Sequence, residues 1–399
     1  MTELRDVYLI DAVRTPFGRY RGGLSAIRTD DLAALPIAEL VRRSPALDPT
    51  AIDDVYLGNT NGAGEENRNV ARMAALLAGL PVSLPGVTIN RLCASGSEAI
   101  IQAGRAVATG DASLVIAGGV EGMSRAPYVL PKSEEPLPRS MALHQTTVGW
   151  RMPNPKFPKP WVDSLGACAE RTADELGIGR QEQDVWAARS HRLANAAWGA
   201  GAHEGFVMAA GDLTHDECIR PDSTPESLAA LRPAFTTNGT VTAGNSSPIS
   251  DGALAAFVGT RRAAESLGLE PLGQLLGSAT VAVEPDRFSV APIPAIQQVL
   301  DRAGLSHGDI DLWEVNEAFA AMVLTTRRGL PPIDDDRFNV NGGAIALGHP
   351  LGASAPRVVV DLCRELRRRG GGLGIAAACI GVGLGQAVLV RVHQGRSVC

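Results

Sequence analysis

Apolar residues follow two spacings along the chain, and each spacing is typical of one kind of element. Short apolar runs predict strands at 6–10, 55–59, 87–89, 114–119, 252–258, 312–316, 373–379 and 386–392. Apolar residues that recur three and four positions apart predict helices at 29–43, 69–78, 95–109, 167–176, 181–200, 294–303 and 352–369. Because strands and helices alternate along most of the chain, the pattern predicts a layered α/β protein.

Two stretches of the chain share the same order of features. In the first, a helix begins at Ser95 and is followed by an apolar strand from Leu114. In the second, Ser354 lies at the start of a helix that is followed by an apolar strand from Leu373. A shift of 259 positions overlays both pairs of residues. We therefore expect two similar α/β halves whose helix starts meet at one shared site.

A stretch with a different composition separates the two halves. Eight prolines between 127 and 160 exclude a regular helix or a central strand there. This proline-rich loop, 127–160, has two interpretations: a solvated surface excursion, or a basic lid or oligomer contact. A second loop-rich stretch follows at 211–244. The predicted domains are 1–120 together with 246–270, an inserted loop domain at 121–245, and 271–399.

Composition narrows the class of protein. The 399 residues are 45% hydrophobic and 20% charged, as in a soluble globular protein. The net charge of −6 gives no reason to expect a nucleic-acid partner. No stretch is apolar enough to span a membrane, and 1–20 lacks the apolar run of a signal peptide. The six cysteines show no metal-ligand spacing, so we expect no metal site, free thiols and a cytoplasmic protein.

Cys93 lies where an apolar strand gives way to a helix, within the stretch 90–98. A thiol at the N-terminus of a helix feels the positive end of the helix dipole, which lowers its pKa from about 8.5 towards neutrality. The small residues at 94–96 also allow a ligand to approach. These features predict a nucleophile. The alternative is a buried core cysteine, because free cysteines are among the most buried residues, and this stretch alone favours neither.

A second set of candidates lies in the C-terminal third. His349 lies in a glycine-rich turn just before a helix, and a histidine beside a cysteine is the usual way to form a thiolate. Cys379 is followed by the glycine-rich bend 380–385, whose N–H groups suit a developing oxyanion. The alternative for this bend is a bulged hairpin connection. Asn316 either caps the helix that follows it or holds a water molecule in the site.

Together these stretches resemble a known family. The chain is similar, over essentially its whole length, to the thiolases of the acetyl-CoA acetyltransferase or 3-ketoacyl-CoA thiolase kind. One such motif would be weak evidence, but all of them occur in family order. The matching stretches are 90–96, 118–121, 123–124, 243–247, 316–320, 341–354 and 379–385. The resemblance implies a thiolase-like α/β fold, with two similar halves in a five-layered arrangement and an inserted loop domain.

The resemblance also implies a role for each catalytic candidate. Cys93 is similar to the acyl-accepting nucleophile, and His349 to the base that takes its proton and then helps to hold the substrate oxygen. Cys379 is similar to the acid/base that protonates the leaving enolate or deprotonates incoming coenzyme A. Asn316 matches the asparagine that positions a water in one oxyanion hole, and the N–H groups of Cys93 and Gly381 match the other.

Coenzyme A is implied as a substrate, with no permanently bound cofactor. The family positions that bind it fall on Arg220, Ser227, Phe235, Ala243, Ser247 and Phe319. Arg220 suits the nucleotide end, because a guanidinium both stacks and pairs with phosphate, while Phe235 and Phe319 follow the pantetheine arm. A homodimer or homotetramer is implied in the same way. The proline-rich loop matches the family poorly, so none of its residues receives a role.

Several positions depart from the family pattern. Val382 stands where a glycine is usual, and Ala355-Pro356 replaces Gly-Ala. Ser164-Leu165 stands where many acetoacetyl-CoA thiolases have His-Met, and Phe288 replaces a common methionine near the acyl site. We expect Val382 to narrow the pocket or to shift the loop beside Cys379. The remaining cysteines are expected to be structural or surface thiols: Cys168, Cys218, Cys363 and Cys399.

The sequence thus predicts a thiolase of fatty-acid or lipid metabolism, which cleaves a 3-ketoacyl-CoA with coenzyme A through an acyl-Cys93 intermediate, or runs the reverse condensation. One alternative is a related condensing enzyme such as a ketoacyl synthase, which pairs one cysteine with two histidines; a second cysteine at 379 favours a thiolase. Another is a non-catalytic acyl-CoA- or lipid-binding protein of this fold, against which the intact Cys93, His349 and Cys379 argue. Chain-length preference and direction stay open.

Overall fold

The computed structural model describes residues 4–393. The strands are β1 (Val7–Arg14), β2 (Gly18–Arg19), β3 (Asp54–Gly58), β4 (Val87–Ile89), β5 (Leu114–Gly122), β6 (Tyr128–Val129), β7 (His144–Gln145), β8 (Ser250–Gly259), β9 (Gly273–Ala282), β10 (Leu312–Val315), β11 (Gly372–Ile380) and β12 (Leu384–Val392). The α-helices are α1 (Thr29–Arg42), α2 (Val70–Leu77), α3 (Ser95–Thr109), α4 (Leu165–Glu175), α5 (Arg180–Gly199), α6 (Pro225–Ala229), α7 (Arg261–Ser266), α8 (Pro292–Ala303), α9 (Ala320–Arg328), α10 (Ala344–Leu347) and α11 (Leu351–Arg368). Each predicted element is confirmed, with ends that differ by a few residues.

One mixed sheet contains ten of these strands, in the order β10-β11-β12-β9-β1-β8-β5-β3-β4, with β2 beside β8. Outward from the central β9–β1 pair, each side has two antiparallel pairs and then a parallel pair. This confirms two similar halves. The overlay differs from the predicted one, because α11 begins at Leu351, and Ser95 therefore corresponds to Leu351 rather than to Ser354.

The helices and strands form five layers. α1 and α2 cover the outer face of the N-terminal strands, α3 and α11 lie between the two sets of strands, and α8 covers the outer face of the C-terminal strands. Three separate apolar clusters fill the spaces between these layers. In the middle space, Val107 of α3 and Val359 of α11 belong to the same buried cluster. The two central helices thus join the halves.

Glycines allow α3 and α11 to begin side by side. A Cβ on Gly96 would lie 2.2 Å from the carbonyl oxygen of Gly352, and a Cβ on Gly352 would lie 2.3 Å from the carbonyl oxygen of Val120. Backbone at such distances leaves no room for a side chain, so glycine is required at both positions. Pro356, predicted near the first turn of its helix, lies in the second turn of α11 and packs on Gly96.

Two helices of the segment between the halves pack on helices of the C-terminal half. α5 contacts α9 and α10, and α4 contacts α9. The proline-rich loop contains the short β6–β7 hairpin and a 3-10 turn at Lys159–Val162, in keeping with its prolines. The domain boundaries at 121, 246 and 271 stay predictions. Within residues 4–393, no helix has the length and apolar character needed to cross a membrane.

Candidate active site

Cys93 lies in a 3-10 turn, Leu92–Ala94, between β4 and α3. The Ser95 hydroxyl holds this turn: it accepts from the N–H of Arg91 at 2.9 Å and donates to the carbonyl of Leu92 at 2.6 Å. Leu92 has a φ of +48°, in the left-handed region that residues with side chains rarely adopt. Such strained backbone is common at functional sites. The turn fixes a thiol that is only 5% exposed.

The pKa of Cys93 differs from the sequence-based expectation. Burial raises the pKa of this thiol to about 11, although the N–H groups of Gly381 and of Cys93 itself favour the thiolate. The prediction that the helix dipole brings the pKa towards neutrality is therefore wrong, because loss of hydration outweighs the backbone N–H groups that favour the thiolate. Cys93 is a neutral thiol at pH 7, and its attack on a carbonyl needs a base to take the proton.

His349 is held in the tautomer that can accept a proton. Its Nδ1 lies 2.6 Å from the Ser354 hydroxyl, and its Nε2 lies 3.5 Å from Nδ2 of Asn316. Ser354 donates its one hydroxyl hydrogen to the carbonyl of Pro350 at 2.9 Å, so it must accept from Nδ1–H of the imidazole. The lone pair of His349 is therefore on Nε2. Ser354, which lies in the motif 341–354, received no separate role from the sequence.

Burial, with a smaller effect of Arg357, lowers the pKa of His349 to about 4. The imidazole is therefore neutral at pH 7 and can take a proton from a neutral thiol. Asn316 does not cap the helix that follows, because α9 begins at Ala320 with Phe319 as its N-cap. Within the described residues, the buried Oδ1 of Asn316 has no hydrogen-bond partner. That orphaned oxygen suits the second interpretation, in which Asn316 holds a water.

Cys379 lies near the end of β11, close to Cys93. Burial raises the pKa of the Cys379 thiol well above its usual value, and the negative form of Cys93 would raise it further. The backbone N–H of Gly381, two residues later, lies near the sulfur of Cys93 and favours its thiolate form. The end of β11 thus supplies a second thiol, and the bend after it brings the N–H of Gly381 near the first. This arrangement suits transfer of a proton and stabilisation of an oxyanion.

The other cysteines receive no role in this site, although the sulfur of Cys218 lies 3.9 Å from the Ser250 hydroxyl, which accepts from the backbone N–H of His349 at 3.2 Å. Cys168, Cys218 and Cys363 are buried free thiols, and Cys399 lies outside the described residues. Between residues 4 and 393, no three His, Cys, Asp or Glu side chains cluster in a way that would hold a metal ion.

Glu121 links the two halves beside the catalytic turn. Its carboxylate accepts from the N–H groups of Thr60 at 3.0 Å, Asn61 at 3.1 Å and Gly352 at 3.0 Å. Burial raises the pKa of Glu121 to about 7, and its charge raises the pKa of Cys93. The sequence showed Glu121 only as part of the motif 118–121. Its partners lie in two stretches of chain, 60–61 and 352, that are remote from it in sequence, so only the fold reveals this link.

The side chain of Trp150, in the proline-rich loop, lies against Gly381. A Cβ on Gly381 would lie 3.1 Å from the Trp150 ring and 3.3 Å from Cδ1 of Leu92. The loop therefore reaches the site, which favours its interpretation as a lid over a solvated excursion. In the sequence, the tryptophan after Gly149 was the one feature that could have indicated this contact, because a large aromatic side chain is unusual in a solvated loop.

Three predicted coenzyme A residues form one group. The rings of Phe235 and Phe319 have centroids 5.9 Å apart, and the buried ring of Phe288 lies 6.2 Å from Phe319. The N–H of Ser247 donates to the carbonyl of Ala318 at 3.0 Å, which places Ser247 beside Phe319. Phe235 is 39% exposed, so this aromatic group has an open side.

The other three predicted coenzyme A residues lie in the inserted segment. Ser227 forms a capping box with Thr224 at the start of α6, and Leu228 of this helix lies against Gly244, next to Ala243. Arg220 is exposed, and its backbone N–H donates to Nδ1 of His191 at 3.1 Å. Coenzyme A binding by these residues stays a prediction.

The departures from the family pattern have visible structural effects. Val382 has a φ of +58°, which is unfavourable for a β-branched residue and strains the loop beside Cys379. Ala355 packs with Ala94 in a small buried cluster. Ser164 caps α4 by accepting from the N–H of Ala167 at 3.3 Å.

Comparison with known proteins agrees with this geometry. The family models described as "Thiolase, N-terminal domain" and "Thiolase, C-terminal domain" match residues 7–262 and 269–392. The beta-ketoadipyl-CoA thiolase of Pseudomonas knackmussii is 48% identical, over 97% of this chain and 99% of its own. The 3-oxoadipyl-CoA/3-oxo-5,6-dehydrosuberyl-CoA thiolase of Escherichia coli is 46% identical, over 97% and 100%. The crystal structure of human mitochondrial 3-ketoacyl-CoA thiolase is 35% identical and covers 98% of this chain and 100% of its own, with a TM-score of 0.90. The chain belongs to the thiolase family of acyltransferases.

Proposed function

We propose that this thiolase cleaves a 3-ketoacyl-CoA whose acyl chain ends in a free carboxylate, as in 3-oxoadipyl-CoA. The observation that supports the chemistry is the group formed by a neutral thiol, a neutral imidazole and a second thiol where the two halves meet. The substrate class is supported by the relatives that are 45–48% identical and carry beta-ketoadipyl-CoA thiolase or 3-oxoadipyl-CoA in their names. In an adipyl thioester, one carboxyl group of the six-carbon chain is bonded to the sulfur of coenzyme A and the other is a free carboxylate.

In the first step, the sulfur of Cys93 attacks the 3-keto carbon and its proton moves to Nε2 of His349. The water held by Asn316 and the imidazolium then formed on His349 stabilise the charge on the substrate oxygen. The bond between carbons 2 and 3 breaks, and its electron pair goes to the acetyl-CoA enolate. Cys379 gives that enolate a proton, so acetyl-CoA leaves and the shortened acyl group stays on Cys93.

In the second step, coenzyme A takes the acyl group. The Cys379 thiolate accepts the proton of the coenzyme A thiol, whose sulfur then attacks the acyl carbon on Cys93. The N–H groups of Cys93 and Gly381 stabilise the oxyanion that forms, and His349 returns a proton to the departing Cys93 sulfur. At the end of the second step, Cys93, His349 and Cys379 have regained their starting protonation states. Coenzyme A is consumed as a substrate, and the two steps balance in atoms and protons without another cofactor.

The proposal also includes the residues that bind coenzyme A, the oligomeric state and the cellular location. Phe235, Ser247 and Phe319 would line the pantetheine arm, and Ser227, Ala243 and Arg220 would lie nearer the nucleotide. We expect a cytoplasmic homodimer or homotetramer. The names of the relatives favour breakdown of a dicarboxylic chain over the fatty-acid metabolism expected from the sequence.

The test is cleavage of 3-oxoadipyl-CoA by the purified protein in the presence of coenzyme A, followed by chromatography of the thioesters. We expect equal amounts of acetyl-CoA and succinyl-CoA, a lower kcat/KM with acetoacetyl-CoA, and no product with Cys93→Ala. Binding of every thioester without cleavage would contradict the proposal and favour a carrier. Condensation that requires malonyl-CoA would favour the ketoacyl synthase alternative.

A further inference from the structure

Arg151 is a half-buried cation close to the catalytic turn. Its Nη1 donates to Oδ1 of Asn61 at 2.7 Å. Asn61 in turn donates its backbone N–H to Glu121 at 3.1 Å, and the charge of Glu121 acts on Cys93. The guanidinium is therefore separated from the group that borders Cys93 by a single asparagine.

Trp150, the residue before Arg151, shows which side of the Cys93 turn the proline-rich loop approaches. Trp150 and Leu92 both lie against Gly381, whose backbone N–H is near the sulfur of Cys93. Asn61 belongs to the loop after β3, where Thr60 donates its hydroxyl to the carbonyl of Leu92 at 3.2 Å. Trp150 and Arg151 thus contact two different neighbours of the same catalytic turn. A chain attached to Cys93 on this side would meet an aromatic ring and a cation.

Arg151 also lacks an anionic partner. Nearby arginines are paired: Arg91 with Glu98 at 2.8 Å, and Arg125 with Glu65. Arg151 takes part in no ion pair formed within residues 4–393, and its hydrogen bond is to a neutral amide. A partly desolvated guanidinium without a carboxylate is well placed to bind an anionic group of a ligand.

We propose that Arg151 binds the free carboxylate of the substrate's acyl chain and makes this enzyme prefer dicarboxylic 3-ketoacyl-CoA substrates. The inference rests on the function proposed above. After cleavage of 3-oxoadipyl-CoA, the group on Cys93 is a succinyl chain, whose carboxylate is three carbon–carbon bonds from the thioester carbon. So short a chain can meet only side chains that border the catalytic turn. A guanidinium binds a carboxylate through two parallel N–H donors, which selects for position as well as for charge.

The test compares kcat/KM for 3-oxoadipyl-CoA and 3-oxohexanoyl-CoA, which have the same chain length and differ in the terminal carboxylate. We expect Arg151→Met to lower the ratio of these two values about 10- to 100-fold, the range typical of a lost charge-assisted hydrogen bond. Arg151→Lys keeps the charge without the paired donors and should recover part of the ratio. Lys156→Met, which changes an exposed cation of the same loop, is the matched control and should keep the wild-type ratio.

Folding is checked by circular dichroism and by acetylation of Cys93 from acetyl-CoA. If Arg151→Met does not fold, Arg151→Gln takes its place, since a glutamine amide can still donate to Asn61. An equal loss of kcat/KM for both substrates would overturn the assignment and make Arg151 structural, and an unchanged ratio would overturn it as well. If the wild-type enzyme has the same kcat/KM for 3-oxohexanoyl-CoA and 3-oxoadipyl-CoA, the proposed substrate class is wrong. This result concerns the wild-type enzyme alone, so failure of the proposed function can be distinguished from failure of the role of Arg151.

Discussion

The two halves contain the same strand–helix unit and carry different chemistry on it. Cys93 and His349 each lie two residues before the first residue of a central helix, α3 in one half and α11 in the other. Glu121 and Cys379 are each the eighth residue of the nine-residue strand that follows that helix. Equivalent positions thus hold a thiol and an imidazole before the helices, and a carboxyl group and a thiol near the strand ends.

The difference lies in how each strand end is bonded. Glu121 accepts three backbone N–H groups and ties the loop after β3 to the start of α11. Cys379 is buried beside Cys93, where its thiol can exchange a proton with a ligand. In the proposed mechanism, one half therefore supplies the nucleophile and a structural link, and the other supplies the base and the acid. A site built in this way exists only where the two units are held together.

The largest expected effect comes from removing the nucleophile of the N-terminal half. Cys93→Ala should lower kcat about 10⁴- to 10⁶-fold, since loss of a covalent nucleophile has effects of that order. Cys363→Ala, which truncates a buried thiol of α11 outside the site, is the control for loss of a cysteine. Steady-state cleavage of 3-oxoadipyl-CoA measures both. Residual activity of Cys93→Ala within tenfold of wild type would contradict its role.

Removing the base of the C-terminal half should have the next largest effect. His349→Ala should lower kcat about 10²- to 10⁴-fold, the usual contribution of a positioned general base. Ser354→Ala should cause a smaller loss, because it frees the imidazole to take the other tautomer. Rapid-quench measurement of Cys93 acylation compares them. A larger loss of acylation rate in Ser354→Ala than in His349→Ala would show that Ser354 does not act by holding the proton of His349 on Nδ1.

The contact between the halves can be tested with two glycines of one helix. Gly96→Ala puts a Cβ 2.2 Å from the Gly352 carbonyl, and should lower the free energy of unfolding by about 1–3 kcal/mol through overpacking. Gly104→Ala puts its Cβ 3.4 Å from Cγ1 of Val7, an ordinary contact, and should gain about 0.5–1 kcal/mol from helix propensity. Urea unfolding measures both. Equal effects would mean that α3 and α11 do not meet so closely.

The pH dependence separates this histidine from an ordinary one. Since burial lowers the pKa of His349 to about 4, the neutral base persists as the pH falls, and kcat/KM should be lost only near pH 4. A histidine with the usual pKa of 6.5 would lose about tenfold by pH 5.5. The unfolded chain binds the proton first, so the contribution of His349 to stability also falls as the pH drops from 6.5 to 4. An acid limb centred near 6.5 would contradict the burial of this ring.

The smallest expected effect concerns the bend of the C-terminal half. Val382→Gly should relieve the left-handed backbone at Val382 and raise the free energy of unfolding by up to about 1 kcal/mol, because the added freedom of glycine in the unfolded chain offsets part of the gain. Val388→Ala, in β12, lacks this benefit and should destabilise the protein as a core truncation. Thermal unfolding measures both. A destabilised Val382→Gly would show that the loop is not strained.

Local patterns predicted most of the fold. The apolar spacings gave the positions of α3, α11 and the strands after them, because helices and strands bury their faces at fixed periods. The repeat around Ser95 and Ser354 predicted two similar halves, although its register was three residues off at α11. Cys93, His349 and Cys379 could be chosen because their residue types and glycine-rich surroundings are local features.

Long-range contacts explain what the sequence could not predict. The raised pKa of Cys93 comes from burial under parts of the chain that are remote in sequence, and a local helix pattern does not show this burial. The position of Trp150 depends on how a loop without regular structure folds back onto Gly381. Glu121 and Ser354 lay within recognised motifs, but their hydrogen-bond partners had to be seen before either could receive a role.

Cys93 is tested most directly as the nucleophile by the intact mass of the protein after brief mixing with 3-oxoadipyl-CoA in the absence of added coenzyme A. We expect one succinyl group on each chain, mapped to Cys93, with one equivalent of acetyl-CoA released, and no adduct on Cys93→Ala. His349→Ala should form the same adduct more slowly. Release of acetyl-CoA without an adduct, or an adduct on another residue, would contradict the proposal that Cys93 of one half is the nucleophile and acts with His349 of the other.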